Sequence, residues 1–206
     1  KSVASGNNWL AISQEFSGNL NQLKIANSNN LVIYASRGSL LLKTIDGGAT
    51  DWSPLTNPGG SINSIAIHPT NPEKIAVATT SNSKVFVSED GGLSWLSYKF
   101  NLPDFSSLAL VWDDNGEDGL YLGMDYGIFY IDNTFTEWQP YSINLPNVII
   151  NELEINSADG KIYAGTYGRG LWASPYVPHL LNTESLINNT DVEIFPNPTN
   201  NIITFN

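Results

Sequence analysis

Four of the six tryptophans in this chain, Trp9, Trp52, Trp95 and Trp138, follow one another at a constant interval of 43 residues. A period with no drift marks a chain built by repeating one unit. The text around each tryptophan repeats too. The fullest copy is Ser88-Glu89-Asp90-Gly91-Gly92-Leu93-Ser94-Trp95, framed by Ser88, Asp90, Gly92 and Trp95. Thr44-Ile45-Asp46-Gly47-Gly48-Ala49-Thr50-Asp51-Trp52 keeps Asp46, Gly48 and Trp52, with one residue inserted before the tryptophan. Asp132 and Trp138 survive in the third copy without the glycines, and Trp9 follows a copy with Ala4 where the aspartate belongs. Asp before Gly-Gly predicts a tight turn whose carboxylate bonds nearby backbone N–H groups while the glycines take positive φ. The indole that follows is large enough to fill a seam between neighbouring repeats. These residues therefore read as structural.

Between the tryptophans lie short β-branched or alternating runs, at 20–26, 31–36 and 39–44, then 62–68, 74–79 and 84–88, then 107–112, 119–123 and 127–131, and finally 148–155, 161–165 and 170–174. Asn- and Gly-rich turns separate the first and second run of each set, as in Asn27-Ser28-Asn29-Asn30 and Asp113-Asp114-Asn115-Gly116. With a further strand at each tryptophan, the unit has strands A to D. A period of about 40–45 residues with four strands is the size of a β-propeller blade. The expected fold is all-β: a propeller of four-stranded blades, about four whole or partial, over residues 1–176. The fourth set has no tryptophan copy and no strand D, while residues 1–14 supply only a turn and a strand D. Either the chain is the C-terminal part of a larger propeller, the preferred expectation, or residues 1–14 complete the fourth blade. The start at Lys1 fits a fragment.

The Ser-x-Asp-x-Gly-x-Ser-Trp text resembles the Asp-box, or BNR repeat, of sialidases, sortilin-type receptors and xyloglucan-cleaving glycoside hydrolases. The resemblance covers residues 1–176. It implies a propeller, and it offers two function classes: a sortilin-like binding ring, or a hydrolase of extracellular polysaccharide.

Composition narrows the choice. Nine Lys and Arg against 20 Asp and Glu give a net charge of −11, a surface that repels nucleic acid. Without cysteine there is no disulfide, no thiolate nucleophile and no Cys-based metal site. No apolar run reaches the ~20 residues of a membrane-spanning helix. The acidic run Asp113-Asp114-Asn115-Gly116-Glu117-Asp118-Gly119 places its first glycine at the wrong offset for a calcium loop and reads as a solvated turn. His68 and His179 lack any ligand spacing. No metal and no cofactor is expected.

After residue 176 the text changes. Residues 177–191 form a polar, Asn-containing linker, and Val192-Glu193-Ile194-Phe195-Pro196-Asn197-Pro198-Thr199 follows. The strand, the Pro196-Asn197-Pro198 turn and a second strand resemble the opening of a type A C-terminal sorting domain of the type IX secretion system of Bacteroidota. That resemblance implies a truncated β-sandwich over 192–206, the type IX machinery as a partner, and a secreted or cell-surface location.

Strands alternate in direction within a blade, so B–C turns and D–A links share one face, while A–B turns and the Asp-Gly-Gly turns share the other. The first face is the expected ligand face. It carries the only two arginines, Arg37 and Arg169, together with Asp125, Tyr126 and Tyr167. Such aromatics suit a sugar ring or a peptide. The resemblance implies three arginines in a sialidase and two opposed carboxylates in a xyloglucan hydrolase. Two arginines and a lone Asp125 supply neither set. The expectation is a binding or display module for a carbohydrate or peptide, not catalytic by its own residues, with a glycoside hydrolase completed from upstream as the alternative.

Overall fold

The computed structural model describes residue 6 and residues 8–176. The expected hairpin around Pro196-Asn197-Pro198, and the linker before it, lie outside the described residues.

The repeats become four antiparallel sheets, and no described residue is helical. The first holds β1 (Gln22–Ile25), β2 (Ile33–Arg37), β3 (Leu40–Thr44) and β4 (Ser53–Pro54) in chain order. The second holds β5 (Ile62–Ile67), β6 (Ile75–Thr79), β7 (Val85–Ser88) and β8 (Leu96–Ser97). The third holds β9 (Ser107–Trp112), β10 (Leu120–Met124), β11 (Gly127–Ile131) and β12 (Gln139–Pro140). The fourth is three-stranded, with β13 (Ile150–Asn156), β14 (Lys161–Thr166) and β15 (Gly170–Pro175). Each sheet is a meander, and the first three carry a short fourth strand just after the repeat tryptophan, where the sequence places strand D. Residues 8–14 do not join the fourth sheet, so the closure of a four-bladed ring by that segment is not realised.

Middle strands β6 and β10 are buried along their whole length, as apolar runs covered on both faces must be. The innermost strands lie side by side, β1 against β5, β5 against β9 and β9 against β13, in the arrangement of propeller blades around an axis. Apolar seams fill the gaps. Ala26, Val32, Tyr34 and Leu41 meet Ile62, Ile65, Ile75 and Val77 between the first two blades. Ala66, Ala76, Val85 and Val87 meet Leu110, Trp112, Leu120 and Trp138 between the next two.

The repeat tryptophans bolt these seams. Trp52 Nε1–H donates to the Ile12 carbonyl at 2.6 Å, Trp95 to Thr56 at 2.9 Å, and Trp138 to Tyr98 at 2.7 Å. Each acceptor sits just after the preceding repeat's tryptophan, so every indole reaches back one blade. A side-chain amide then clamps the backbone at two of them. Gln14 accepts from the Trp52 N–H at 2.9 Å and donates to its carbonyl at 3.0 Å. Asn101 does the same for Trp138, at 2.8 and 3.0 Å. The amide at the matching place beside Trp95 belongs to Asn57, which accepts instead from Gly59 N–H.

The expectation that Trp52, Trp95 and Trp138 fill the seams therefore holds for Trp52 and Trp138, which are 4% and 1% exposed, but only in part for Trp95. Trp95 is only half-buried, and Trp9 is 75% exposed. Trp95 has one bond where its relatives have three. Trp9 precedes the first strand of the described blades in the chain.

Candidate functional site

The Asp-Gly-Gly turns are internally satisfied. Asp46 accepts from Gly48 N–H, Ala49 N–H, Thr50 N–H and the hydroxyls of Thr44 and Thr50. The Thr50 and Thr44 hydroxyls lead in holding its carboxyl down at about 2, against an ordinary 3.8. Asp90 is depressed further by its bonds from Ser94, Ser88 and Leu93. Asp132 accepts from Thr134 N–H and Oγ1–H and from the Tyr130 hydroxyl, which stands where the other copies have Thr44 and Ser88. These carboxylates are engaged within their own turns. The glycines have a reason as well. At Gly48 (φ 81°) a Cβ would lie 2.0 Å from the Ile12 carbonyl oxygen, and at Gly92 (φ 93°) 2.8 Å from Leu55 Cδ1. Both turns thus press against the preceding repeat, and only glycine fits.

On the opposite face the structure draws several expected residues together. Asp125 Oδ2 accepts from Ser106 N–H at 3.0 Å, while Asp125 N–H donates to the Ser106 carbonyl at 3.2 Å. This reciprocal pair holds Phe105 against Tyr126, with ring centroids 5.6 Å apart and planes at 24°. Both rings are solvent-facing, Tyr126 being half exposed. The next turn abuts the same segment: Gly127 N–H donates to the Val148 carbonyl and Tyr167 N–H to that of Ile149, the following residue. Tyr167 is 70% exposed, and Trp172 Nε1–H donates to the carbonyl of exposed Arg169 at 3.0 Å. Asp125 and Tyr126 thus sit with Phe105 at one turn, and Tyr167 and Arg169 lie in the corresponding turn of the following blade, tied to the same 148–149 segment. Arg37 does not join them. It sits in the first blade, and its guanidinium donates to Ser17 Oγ. Phe105 went unread in the sequence because it falls in the irregular link 98–106 that no repeat marks.

A second concave region opens by the axis, at the A–B end of the innermost strands. This cleft of about 550 Å³ is lined from all four blades, by Lys24 and Ile25, Ile65 and Ile67, Trp112 to Asp114, and Leu153 to Ile155. Lys24 Nζ lies 3.8 Å from Glu152 and 3.7 Å from Glu154, spanning the first and fourth blades. Asp113 is 2% exposed, and its Oδ2 has no hydrogen-bond partner. Burial pushes its carboxyl up to about 6, with the neighbouring Asp114 charge adding to the rise and the Asp114 N–H bond opposing it.

The acidic run 113–119 is thus not a simple solvated turn. Its other end, Asp118 at φ 55°, takes the Lys74 ammonium at 3.0 Å, His68 Nε2 at 3.1 Å and Asn133 Nδ2–H at 2.8 Å. Burial would raise the Asp118 carboxyl, but the Asn133 and Lys74 bonds, with the charges of Lys74 and His68, outweigh it and lower it. His68 also packs edge-on against Trp112, at 5.4 Å. These contacts knit blade two to blade three. Among the described residues, no three His, Asp or Glu side chains converge tightly enough to hold a metal ion.

No family model and no curated protein matches the chain. Solved structures do. A GH74 enzyme of Niastella koreensis superposes with a TM-score of 0.61 over 76% of this chain and 28% of its own length, at 14% identity. YCF48 bound to D1 peptide gives 0.62 over 82% and 55%, at 18% identity. The β-propeller domain of Cps50 (Swd1) from Myceliophteria thermophila gives 0.63 over 83% and 56%, at 15% identity. The shared property is the β-propeller fold. The chain spans less than two thirds of each of these neighbours.

Proposed function

We propose that the chain is a β-propeller binding module, built on Asp-box repeats over residues 1–176 and exported to the cell surface or beyond by a type IX sorting signal that begins at residue 192. One observation carries the binding reading. The Phe105–Tyr126 stack, held by the Asp125–Ser106 pair, is an aromatic surface left open to solvent. Exposed rings that are not packed into a core are the usual means of holding a sugar ring or an apolar peptide side chain. A carbohydrate or a peptide is accordingly the ligand class. Export rests on the Val192-to-Thr199 text alone.

Retardation in native gels containing soluble xyloglucan, alongside a peptide array, tests the binding. Wild-type retention in either format that is lost in Tyr126→Ala is the expected result, and no retention in either refutes the reading. For export, surface labelling of the parent with and without everything after Asn189, in a type IX-competent host, should differ. Equal labelling removes the sorting proposal.

The alternative is the C-terminal part of a glycoside hydrolase, favoured by the GH74 neighbours. It requires two carboxylates facing each other across a sugar ring. Asp125 accepts one bond, from Ser106 N–H, and the second carboxylate of such a pair would have to come from residues outside this chain. Release of reducing ends from xyloglucan by the parent protein decides between the two.

A further inference from the structure

We propose that the chain carries a head-to-tail contact for a second copy of itself, in which the fourth blade of one copy takes its strand D and an apolar seam from the first blade of the next. The argument begins with two leucines. Leu23, Ile65, Leu110 and Leu153 share one repeat position on the innermost strands, paired with Ala35, Val77, Leu122 and Ala164 of the middle strands. Ile65, Leu110 and Leu153 are at most 2% exposed, whereas Leu23 is 55% exposed. Leu41, Val85, Ile128 and Leu171 likewise share one position, on β3, β7, β11 and β15. The first three are at most 4% exposed, whereas Leu171 is 71% exposed. Across the seams the two positions belong together: Leu41 and Ile65 share one core cluster, Val85 and Leu110 the next. Leu171 and Leu23 are therefore the two open halves of one such seam.

The second observation is an unused clamp. The link that receives Trp138, Tyr98-Lys99-Phe100-Asn101-Leu102-Pro103, recurs one repeat later as Tyr141-Ser142-Ile143-Asn144-Leu145-Pro146. The two share their backbone bonds: Tyr98 and Tyr141 N–H donate to Val85 and Ile128, and Leu102 and Leu145 N–H to Lys99 and Ser142. In the first link the Tyr98 carbonyl and the Asn101 amide hold Trp138. In the second, no described residue bonds the Tyr141 carbonyl or the Asn144 side chain. The Tyr141 hydroxyl donates to the Pro175 carbonyl, which puts this clamp beside β15. Among the described residues β15 is the outermost strand of its sheet and exposed throughout, an edge without a strand D.

The other end of the chain carries what these halves lack. Ile12 and Gln14 do for Trp52 what Tyr98 and Asn101 do for Trp138, so residues 9–14 lie as the close of a blade that would precede the first. Trp9 then stands as the tryptophan of that blade, and it is exposed. In the complete blades the residue after each tryptophan, Ser53, Leu96 or Gln139, pairs with Lys43, Val87 or Tyr130. The matching residue of β15 is Ala173, which in this register takes Leu10 of the second copy. Trp9 of the second copy then meets the Tyr141 carbonyl and the Asn144 amide, and Leu23 of the second copy covers Leu171. One contact fills both the clamp and the seam. A strand added to an open edge also makes the backbone bonds that the edge leaves unmade. Each copy carries both halves, so the contact is heterologous and joins copies head to tail. It does not involve the aromatic surface at Tyr126.

The test is sedimentation velocity over a concentration series, on the whole chain and on its parent protein. The proposal expects both to self-associate. Leu171→Asp blocks the receiving edge and Leu23→Asp the face that enters it, so each variant alone should be monomeric. An equimolar mixture of the two chain variants restores one compatible pair and should give a dimer that grows no further. Trp9→Ala should weaken association about tenfold or more, as the loss of an aromatic anchor does. Leu93→Ala, an exposed leucine at an Asp-Gly-Gly turn, should leave it unchanged. Trp9 and Leu171 are exposed, so their variants test the contact even if β1 tolerates no aspartate. A monomer in either wild type overturns the proposal, the open halves then being covered within one chain, by residues 177–206 or by further blades of the parent. Association that survives Leu171→Asp, or that Trp9→Ala leaves unchanged, overturns it as well.

Discussion

Replacing Trp138 with Ala should cost far more stability than the same change at Trp95, although the sequence frames them alike. Trp138 is 1% exposed, donates its indole N–H to Tyr98 and has its backbone clamped twice by Asn101. Truncating a buried tryptophan costs about 3–5 kcal/mol through lost burial and the cavity left behind. The orphaned Tyr98 carbonyl adds about 1 kcal/mol, giving about 5 kcal/mol in all. Trp95 is half-buried and makes the single bond to Thr56, so about 2 kcal/mol is expected there, from roughly half the buried area. The gap of about 3 kcal/mol should separate the urea midpoints by about 1 M or more, since m for small proteins is about 1–3 kcal/mol per molar. Equilibrium denaturation followed by far-ultraviolet circular dichroism measures this without depending on the fluorescence of the deleted ring. If the two costs agree within about 1 kcal/mol, the depth of burial is not what holds the seams, and the reasoning fails.

Asn101→Ala should cost about 1–2 kcal/mol by leaving both backbone groups of Trp138 unpaired, and Asn57→Ala less than half of that; the same urea titration compares them. Asp113→Asn should stabilise the chain by about 1–2 kcal/mol at pH 7, because it removes a buried charge that lacks a bond. The folded Asp113 carboxyl stands raised at about 6 against an ordinary 3.8, so its protonated form contributes stability below about pH 4 that is lost as pH rises through 6. The gain in the variant should accordingly vanish in thermal melts at pH 4. Asp46 has the opposite sign. Its carboxyl is lowered to about 2, so its contribution is present above pH 4 and disappears as pH falls toward 2. Acid titration of Asp46→Asn should show a shallower loss over that window than the wild type, and an identical slope would count against the turn as its source.

The fold was legible because a propeller writes its geometry periodically. The interval between tryptophans set the blade, and period-2 runs set the strands within it. Seam packing was less legible, because Trp95 and Trp138 differ through Asn57 and Asn101, whose side chains choose between a local turn and a neighbouring blade. That choice is tertiary, and no local pattern carries it. The same limit hid Phe105. Arg37, by contrast, was placed correctly on its face and still fell outside the aromatic group, because face is set by strand direction and neighbourhood by blade number. Sequence spacing reports the first directly. It reports the second only through the fold.

The axial cleft shows where individuality enters a repeating structure. Ala26, His68 and Asp113 occupy one repeat position: each is the first residue past an innermost strand, and each donates its N–H to close the A–B turn, to Val32, Lys74 and Gly119. The backbone demands the same thing of all three, so the side chain is free to vary. Ala26 fills the seam between the first two blades. His68 turns to Asp118 and locks the second blade to the third. Asp113 is buried with an oxygen unpaired, a state that the turn does not require and the packing does not relieve. Where the repeat dictates chemistry, as at Asp46 and Asp90, every carboxylate is consumed within its own turn. Where it dictates only a backbone bond, a side chain can carry free-energy cost without structural return. Position 113 does so among the residues that line the axial cleft, where the repeat itself asks for nothing but the backbone bond.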